Sequence, residues 1–430
     1  MTTNRISSLD LIRGFAALGM IFINILVYIP NFHDILYQES TLGKITLEGS
    51  IYKSMYILFD GKMRALFGML FGVGIVLFFN SNTKEHISKS DHFSRRMFWL
   101  LIFGLIHAYL LLWPGSILFE YAACGFLLFT FRGLKANVLL ILSILILGFY
   151  IVINSSYYYE NREDYKSYKI ALSLESANKV IPKDIEKKKK SFEEYLENSP
   201  PFSKAMVEDI ESEKQEKIKL YTSGFMKIYK KNKDKSTENL SLGVYLYILE
   251  SIGTMLLGMA MFKFGFFEFK LKKRFYYFFI FLGIPIGLTM YYFLHKWRVA
   301  TKNELIEVFS WKFFSSESVE GIARIVLSLG YSSLLIYCCK LKFIKVILEL
   351  ISNVGRMAFT NYIIQTLICA LVFYVFKYYG SFSMVQFLFF AIVVIIIQII
   401  GSYLCIRYFN TGPIEYLWRN LSKWKLEEKN

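Results

Sequence analysis

Residues 382–406 read FSMVQFLFFAIVVIIIQIIGSYLCI, a run of 25 positions without one Asp, Glu, Lys or Arg. A helix needs about 20 mostly apolar residues to cross the hydrocarbon core of a bilayer, and this run exceeds that. A membrane β-strand would be about ten residues of alternating polarity. The apolar stretch here is too long and too continuous for that, so it predicts a helix. Nine further runs of the same kind lie outward from it, at 11–30, 55–80, 96–113, 115–132, 136–155, 241–262, 275–294, 321–339 and 357–376. Only Trp113-Pro114-Gly115 separates the third from the fourth, which predicts a tight hairpin or one broken element. The composition agrees, at 55% hydrophobic and 20% charged with a mean hydropathy of +0.39. These values exclude an ordinary soluble enzyme, a disordered chain and a disulfide-stapled secreted domain. The expected fold class is all-α, a polytopic membrane helical bundle of about ten transmembrane helices.

The formal charge is +16, from 50 Lys and Arg against 34 Asp and Glu. Its placement separates a nucleic-acid partner from membrane topology. Lys84, Lys89, Arg95 and Arg96 sit in link 81–96, and Arg132 and Lys135 in 132–135. Lys263, Lys270, Lys272, Lys273 and Arg274 sit in 263–274, and Lys340, Lys342, Lys345 and Arg356 in 340–356. Arg419, Lys423, Lys425 and Lys429 sit in the tail. With ten crossings all five links fall on one side, so the positive-inside rule puts both termini in the cytoplasm. The chain then divides into five spans (1–155), a polar extracytoplasmic insert (156–240), five more spans (241–406) and a cytoplasmic tail (407–430). The insert sets Lys187–Lys190 among many glutamates and reads as a helical cap or a linker. Its balanced charge and external position argue for no nucleic-acid partner. Membrane lipids are the expected surroundings, and a homodimer is one option for assembly. The first run lacks a small-residue cleavage site and reads as an anchored span rather than a removable signal. Cys124, Cys338, Cys339, Cys369 and Cys405 lie in or beside apolar runs without a CxxC pair. They read as small buried hydrophobes, and no metal is expected.

Ionisable and amide side chains at membrane depth are expensive, so they mark candidate sites. Asp10 and Arg13 stand three apart on the first helix, as a local ion pair or as an anion site. Asn24 lies about 17 Å deeper on nearly the same face, at ~1.5 Å rise per residue. Asp60, Lys62 and Arg64 open the second span, where Asp60 and Arg64 are spaced to pair. Gly68, Gly72 and Gly74 then favour close helix approach. His107 is about 16 Å into the third span, as a proton acceptor or as a satisfied structural histidine. Ser116, Glu120 and Tyr121 follow the turn, and Asn361, Gln365 and Gln398 sit in the last two spans. Together these could line one polar cavity. There is no Walker lysine, no dinucleotide glycine fingerprint, no H-E-x-x-H and no G-x-S-x-G elbow.

Several phrases carry a family resemblance. Ser8-Leu9-Asp10-Leu11-Ile12-Arg13-Gly14-Phe15-Ala16, Leu66-Phe67-Gly68-Met69-Leu70-Phe71-Gly72 and Gly104-Leu105-Ile106-His107-Ala108 resemble the signatures of the bacterial inner-membrane YeiB-like family, long catalogued as a domain of unknown function. So do Gly355-Arg356-Met357-Ala358-Phe359-Thr360-Asn361-Tyr362 and Gly412-Pro413-Ile414-Glu415-Tyr416-Leu417-Trp418-Arg419. That family is similar to transmembrane acyltransferases, including heparan glucosaminide acetyltransferases and bacterial O-acyltransferases. The resemblance implies an acyl-CoA or acetyl-CoA donor near Asp10, Arg13, Arg95 and Arg96, entering from the cytoplasm. It also implies catalytic assistance from His107, as general base or acyl carrier, with Arg64 or Asn24 stabilising an oxyanion. The small-molecule or glycan acceptor would meet Ser116, Glu120, Tyr121, Asn361 and Gln365. One departure is Gly115-Ser116-Ile117-Leu118, where relatives commonly carry G-D-I-L. The alternatives are a small-metabolite transporter that uses His107 as a proton relay, and a non-catalytic membrane protein that docks a partner through its insert.

Overall fold

The computed structural model describes residues 7–30, 45–81, 88–198, 204–241, 244–300 and 315–423, and every regular element among them is helical. The chain is an all-α polytopic bundle. In the amino-terminal half, α1 is Ser7–Asn24, α2 Leu47–Phe59, α3 Lys62–Asn80, α4 Lys89–Leu105, α5 Ile117–Leu128 and α6 Ala136–Ser176. The insert holds α7 Lys183–Asn198, α8 Lys204–Tyr221 and α9 Phe225–Ser241. The second half holds α10 Val244–Lys263, α11 Lys273–Phe278, α12 Ile284–Ala300, α13 Ser316–Cys338, α14 Lys345–Arg356, α15 Ala358–Ala370, α16 Met384–Phe409 and α17 Pro413–Lys423. Among the described residues, seven stretches are long and apolar enough to cross a membrane: Ser7–Tyr28, Leu47–Asn80, Ala136–Ser176, Lys273–Val299, Ser316–Cys338, Ala358–Val375 and Met384–Phe409. The other three expected runs are the helices α4, α5 and α10. Lys84, Lys425 and Lys429 of the basic links lie outside the described residues.

Four local features depart from the sequence reading or complete it. The second run breaks at Asp60–Gly61, where Gly61 takes φ +72°, a backbone region that favours glycine. Asp60 and Arg64 therefore do not share a helix, the i,i+4 geometry is lost, and Arg64 bonds Glu250 at 2.9 Å. The fifth run does not end at 155, because α6 continues to Ser176. At ~1.5 Å per residue its 41 residues span about 62 Å, roughly twice a bilayer core. The amphipathic helices α14 and α17 occupy stretches read as link and tail. The third and fourth runs form a hairpin, and a side chain at Gly104 would overlap the Phe119 backbone of the returning arm.

Two reciprocal glycine crossings fix the centre. A methyl group on Gly14 would strike the Ile351 carbonyl, and one on Gly355 would strike the Asp10 carbonyl, so α1 and α14 touch backbone to backbone. The same exchange joins Gly72 to Met255 and Gly258 to Met69, locking α3 to α10. Small residues permit such close approach in membranes, where packing replaces the hydrophobic driving force. Gly72 thus serves as the sequence suggested, whereas nothing lies within 4 Å of a Cβ built on Gly74.

The outer faces of α6 and α16 are apolar and exposed, through Ile141, Ile144, Leu145, Phe149, Phe389 and Ile396 among others. Acyl chains match such faces. The insert packs on the bundle as a cap. Phe192 of α7 is fully buried beside the rings of Tyr165 and Tyr168 at 5.3 and 5.2 Å, which ties α7 to the extension of α6. From α9, Ser236 Oγ donates to the Ala108 carbonyl at 3.1 Å and Asn232 Nδ2 to the Leu112 carbonyl at 3.3 Å.

Candidate functional site: two cavities sharing one wall

Two cavities lie in line along the bundle. α1 orders them, with Arg13 on the first, Met20 on both, and Ile23 and Asn24 on the second. α3 gives the same order in reverse, from Arg64 on the second to Phe67, Gly74 and Phe78 on the first. The shared wall consists of three side chains, Met20, Ile117 and Tyr362.

The first cavity holds about 300 Å³ and is mostly apolar, lined by residues such as Phe67, Leu70, Phe71 and Leu100. The bare Gly74 backbone leaves room in its wall. Cations gather at its other end, where Arg13, Arg96, Arg356 and Arg419 all reach the lining. Arg13 also bonds Asp10 at 3.1 Å, so the local ion pair and the cavity position coexist. Arg96 lies over the Trp418 ring at 4.2 Å, while Trp418 Nε1 donates to the Arg96 carbonyl at 2.9 Å. Glu415 closes this end. Its carboxylate accepts the Phe359 and Thr360 amides at 2.8 and 3.1 Å and the Thr360 hydroxyl at 2.5 Å. It thereby caps α15 from a different helix and satisfies amides that the first turn leaves open.

The second cavity holds about 650 Å³ and is more polar than the first, with many charged side chains among its lining. Asn24, Arg64, Ser116 and Glu120 line it, so α1, α3 and the start of α5 each bring a polar group to one space. Arg298, Glu320 and Arg324 also line it, and with Glu250 they form an ion network the sequence reading missed. Glu250 accepts from Arg64 and from Arg324, Arg324 also bonds Glu320 at 2.9 Å, and Arg298 approaches Glu320 at 3.8 Å. Glu120 accepts from Ser251. The signal was available, since Glu250 and Arg324 each interrupt an otherwise apolar run. Lys62, fully buried, donates to the Tyr56 carbonyl at 2.8 Å and stands 2.9 Å from the centre of the Tyr291 ring.

His107 lies in a π-helical turn, Ile106–Leu110, that continues α4. Such turns re-aim side chains and recur at functional sites. The imidazole is fully buried beside the Tyr362 ring at 4.8 Å. Its Nδ1 is 3.0 Å from Ser116 Oγ and its Nε2 2.9 Å from Thr366 Oγ1. Neither cavity is lined by His107 itself, and Ser116 connects it to the polar one.

Other expected site residues stand elsewhere. Asn361 and Gln365 line neither cavity. Asn361 Nδ2 donates to Ser402 Oγ at 2.9 Å, Gln365 Nε2 to the Ala17 carbonyl and Gln398 Oε1 at 2.9 Å each, and Gln398 Nε2 to the Asn361 carbonyl at 2.9 Å. This amide chain knits α1, α15 and α16, since an amide in a helix interface bonds whatever polar group the neighbour offers. Tyr121 faces the apolar cavity and donates to the Arg64 carbonyl at 2.8 Å. Arg95 lines neither cavity.

The comparisons with known proteins agree with the phrases quoted above. A family model described as "Protein of unknown function (DUF418)" matches residues 261–425. The chain is similar to "Uncharacterized protein YxaH" of Bacillus subtilis (strain 168), 26% identical over 98% of this chain and 94% of the relative. It is 25% identical to "Uncharacterized protein YeiB" of Escherichia coli (strain K12), over 96% of this chain and 95% of the relative. It is 24% identical to "Uncharacterized 39.9 kDa protein in amylase 3'region" of Bacillus acidopullulyticus, over 97% of this chain and 94% of the relative. No solved structure gives a significant match. These matches support the resemblance to the YeiB-like family, over residues 261–425 by the family model and over nearly the whole chain by the relatives.

Proposed function

We propose that this protein is a transmembrane acyltransferase of the bacterial cell membrane, with both termini and the arginine-rimmed cavity on the cytoplasmic side. The observation that carries the reading is an apolar cavity and a more polar one that meet at one wall of Met20, Ile117 and Tyr362. An acyl donor such as acetyl-CoA or a longer acyl-CoA joins a polyanion to an apolar tail. The 300 Å³ chamber takes the acyl arm, while Arg13, Arg96, Arg356 and Arg419 meet the phosphates outside it. The polar chamber takes a hydroxyl- or amine-bearing acceptor, a small molecule or a glycan, between Asn24, Glu120 and Arg64. In this reading His107 accepts the acceptor's proton through the Ser116 hydroxyl. Transfer across the wall moves an acyl group over the membrane and leaves the charged carrier behind. The test is purified protein with radiolabelled acetyl-CoA. Saturable binding weakened at least tenfold by Arg96→Met, together with labelled product, supports the reading. Absence of both binding and transfer across a broad set of acceptors overturns it.

The thinness of the wall favours one second reading, a transporter. Met20 is a flexible side chain, and its rotation would join the chambers. Substrate-dependent flux in proteoliposomes without a covalent product is the sign of that activity.

A further inference from the structure

The hydroxyl of Ser116 is in an unusual position for its place in the chain. Ser116 is the residue before α5, where a serine side chain ordinarily bonds the backbone of the first turn. Here it makes no such cap and turns instead to His107 Nδ1 at 3.0 Å. The far nitrogen of the imidazole is held by Thr366 Oγ1 at 2.9 Å, which fixes the ring. The arrangement is a hydroxyl, a base and an orienting group in sequence, the grammar of an activated nucleophile. The dyad is also well placed. Ser116 lines the polar chamber, and the next residue, Ile117, is part of the wall shared with the apolar one. Its hydroxyl stands at the amino-terminal end of a 12-residue helix, whose dipole favours developing negative charge.

We propose that Ser116 is a covalent relay, which takes the acyl group through the wall before the acceptor receives it. The idea rests on the acyl-transfer reading above. In the first half, Ser116 Oγ attacks the thioester carbonyl as His107 Nδ1 takes its proton. The C–S bond breaks, and the leaving thiolate takes that proton, giving a free thiol and an ester on Ser116. In the second half, the acceptor hydroxyl loses its proton to His107 and attacks the ester carbonyl. The C–O bond to Ser116 breaks and Ser116 Oγ is reprotonated. No oxidant, reductant or further reactant is required. The acyl group thus passes from donor to acceptor on Ser116, which lines the polar chamber directly beside Ile117 of the shared wall.

The experiment uses the full chain in nanodiscs with [14C]acetyl-CoA and no acceptor. The expected result is a burst of about one free thiol per chain. Label on Ser116 should be released by hydroxylamine at alkaline but not neutral pH, as an oxygen ester is. Ser116→Ala should abolish burst and label, and Ser116→Cys should give a label released at neutral pH. Ser116→Ala that retains the label, or Ser116→Asp that transfers at the wild-type rate, overturns the relay and leaves Ser116 as a positioning residue for His107. Transfer to an acceptor that is unaffected by Ser116→Ala overturns the relay alone. Wild-type protein that neither binds nor cleaves acetyl-CoA overturns the acyl-transfer reading with it.

Discussion

Glu250 is the hinge of the buried ion network, and neutralising it gives the sharpest stability test. The Glu250 and Arg324 side chains are 6% and 9% exposed, whereas Arg64 is 26% exposed and opens to the polar cavity. Removing one partner of a buried pair costs about 3–5 kcal/mol, because the other charge stays desolvated. Arg64 contributes less to that sum, since its side chain is partly exposed toward the polar cavity and an ion pair weakens as it is exposed. Arg324 keeps Glu320 at 2.9 Å, which moves the loss to the lower end. Glu250→Gln should therefore destabilise by about 3 kcal/mol. Arg324→Met with Glu250→Leu should cost clearly less than the two single changes together, because a neutral pair leaves no stranded charge. The assay is unfolding in mixed micelles by SDS titration, followed by tryptophan fluorescence. A Glu250→Gln protein within about 0.5 kcal/mol of wild type, the range of ordinary surface changes, refutes the reasoning. So does strict additivity of the pair.

Further predictions concern packing and the apolar chamber. Gly74→Leu should fold normally, because nothing lies within 4 Å of the new Cβ, yet it should reduce acyl-CoA binding at least tenfold in equilibrium dialysis by filling the chamber. Gly355→Ala should destabilise by about 1–3 kcal/mol in the same SDS titration, since its methyl overlaps the Asp10 carbonyl. Glu415→Ala should cost about 1–2 kcal/mol and speed hydrogen exchange at the Phe359 and Thr360 amides, which lose their acceptor. Gln398→Leu should cost about 0.6–1.7 kcal/mol by thermal unfolding, because the Asn361 carbonyl and Gln365 lose a partner.

The helices were legible because hydrophobic run length is a property of the chain itself. Among the described residues all ten runs are helical, from the charge-free 382–406 to the short pair around Trp113-Pro114-Gly115. The break at Asp60–Gly61 was harder to see, since a glycine in an apolar run is equally compatible with close packing and with a turn. Helix α6 hid its length because hydropathy falls at the membrane boundary while helix propensity does not. The site was readable in part. Asn24, Arg64, Ser116 and Glu120 do meet, each being a polar group too costly to leave among lipids. Asn361 and Gln365 carry the same signal for a different reason, as interface amides, and depth alone does not separate the two uses. Thr366 gave no signal, being one hydroxyl in an apolar helix until the fold sets it against His107.

The length of α6 has a mechanical consequence. About half of its 62 Å stands beyond a bilayer core, and the buried Phe192 cluster grips that half. The helix is thus a lever with its fulcrum at the membrane surface. A tilt of about 10° displaces the far end by roughly 5 Å over an arm of ~30 Å. Any rocking of the spans is magnified at the insert, and a spectroscopic pair between Ser176 and the bundle would register motions too small to follow at the cavity wall.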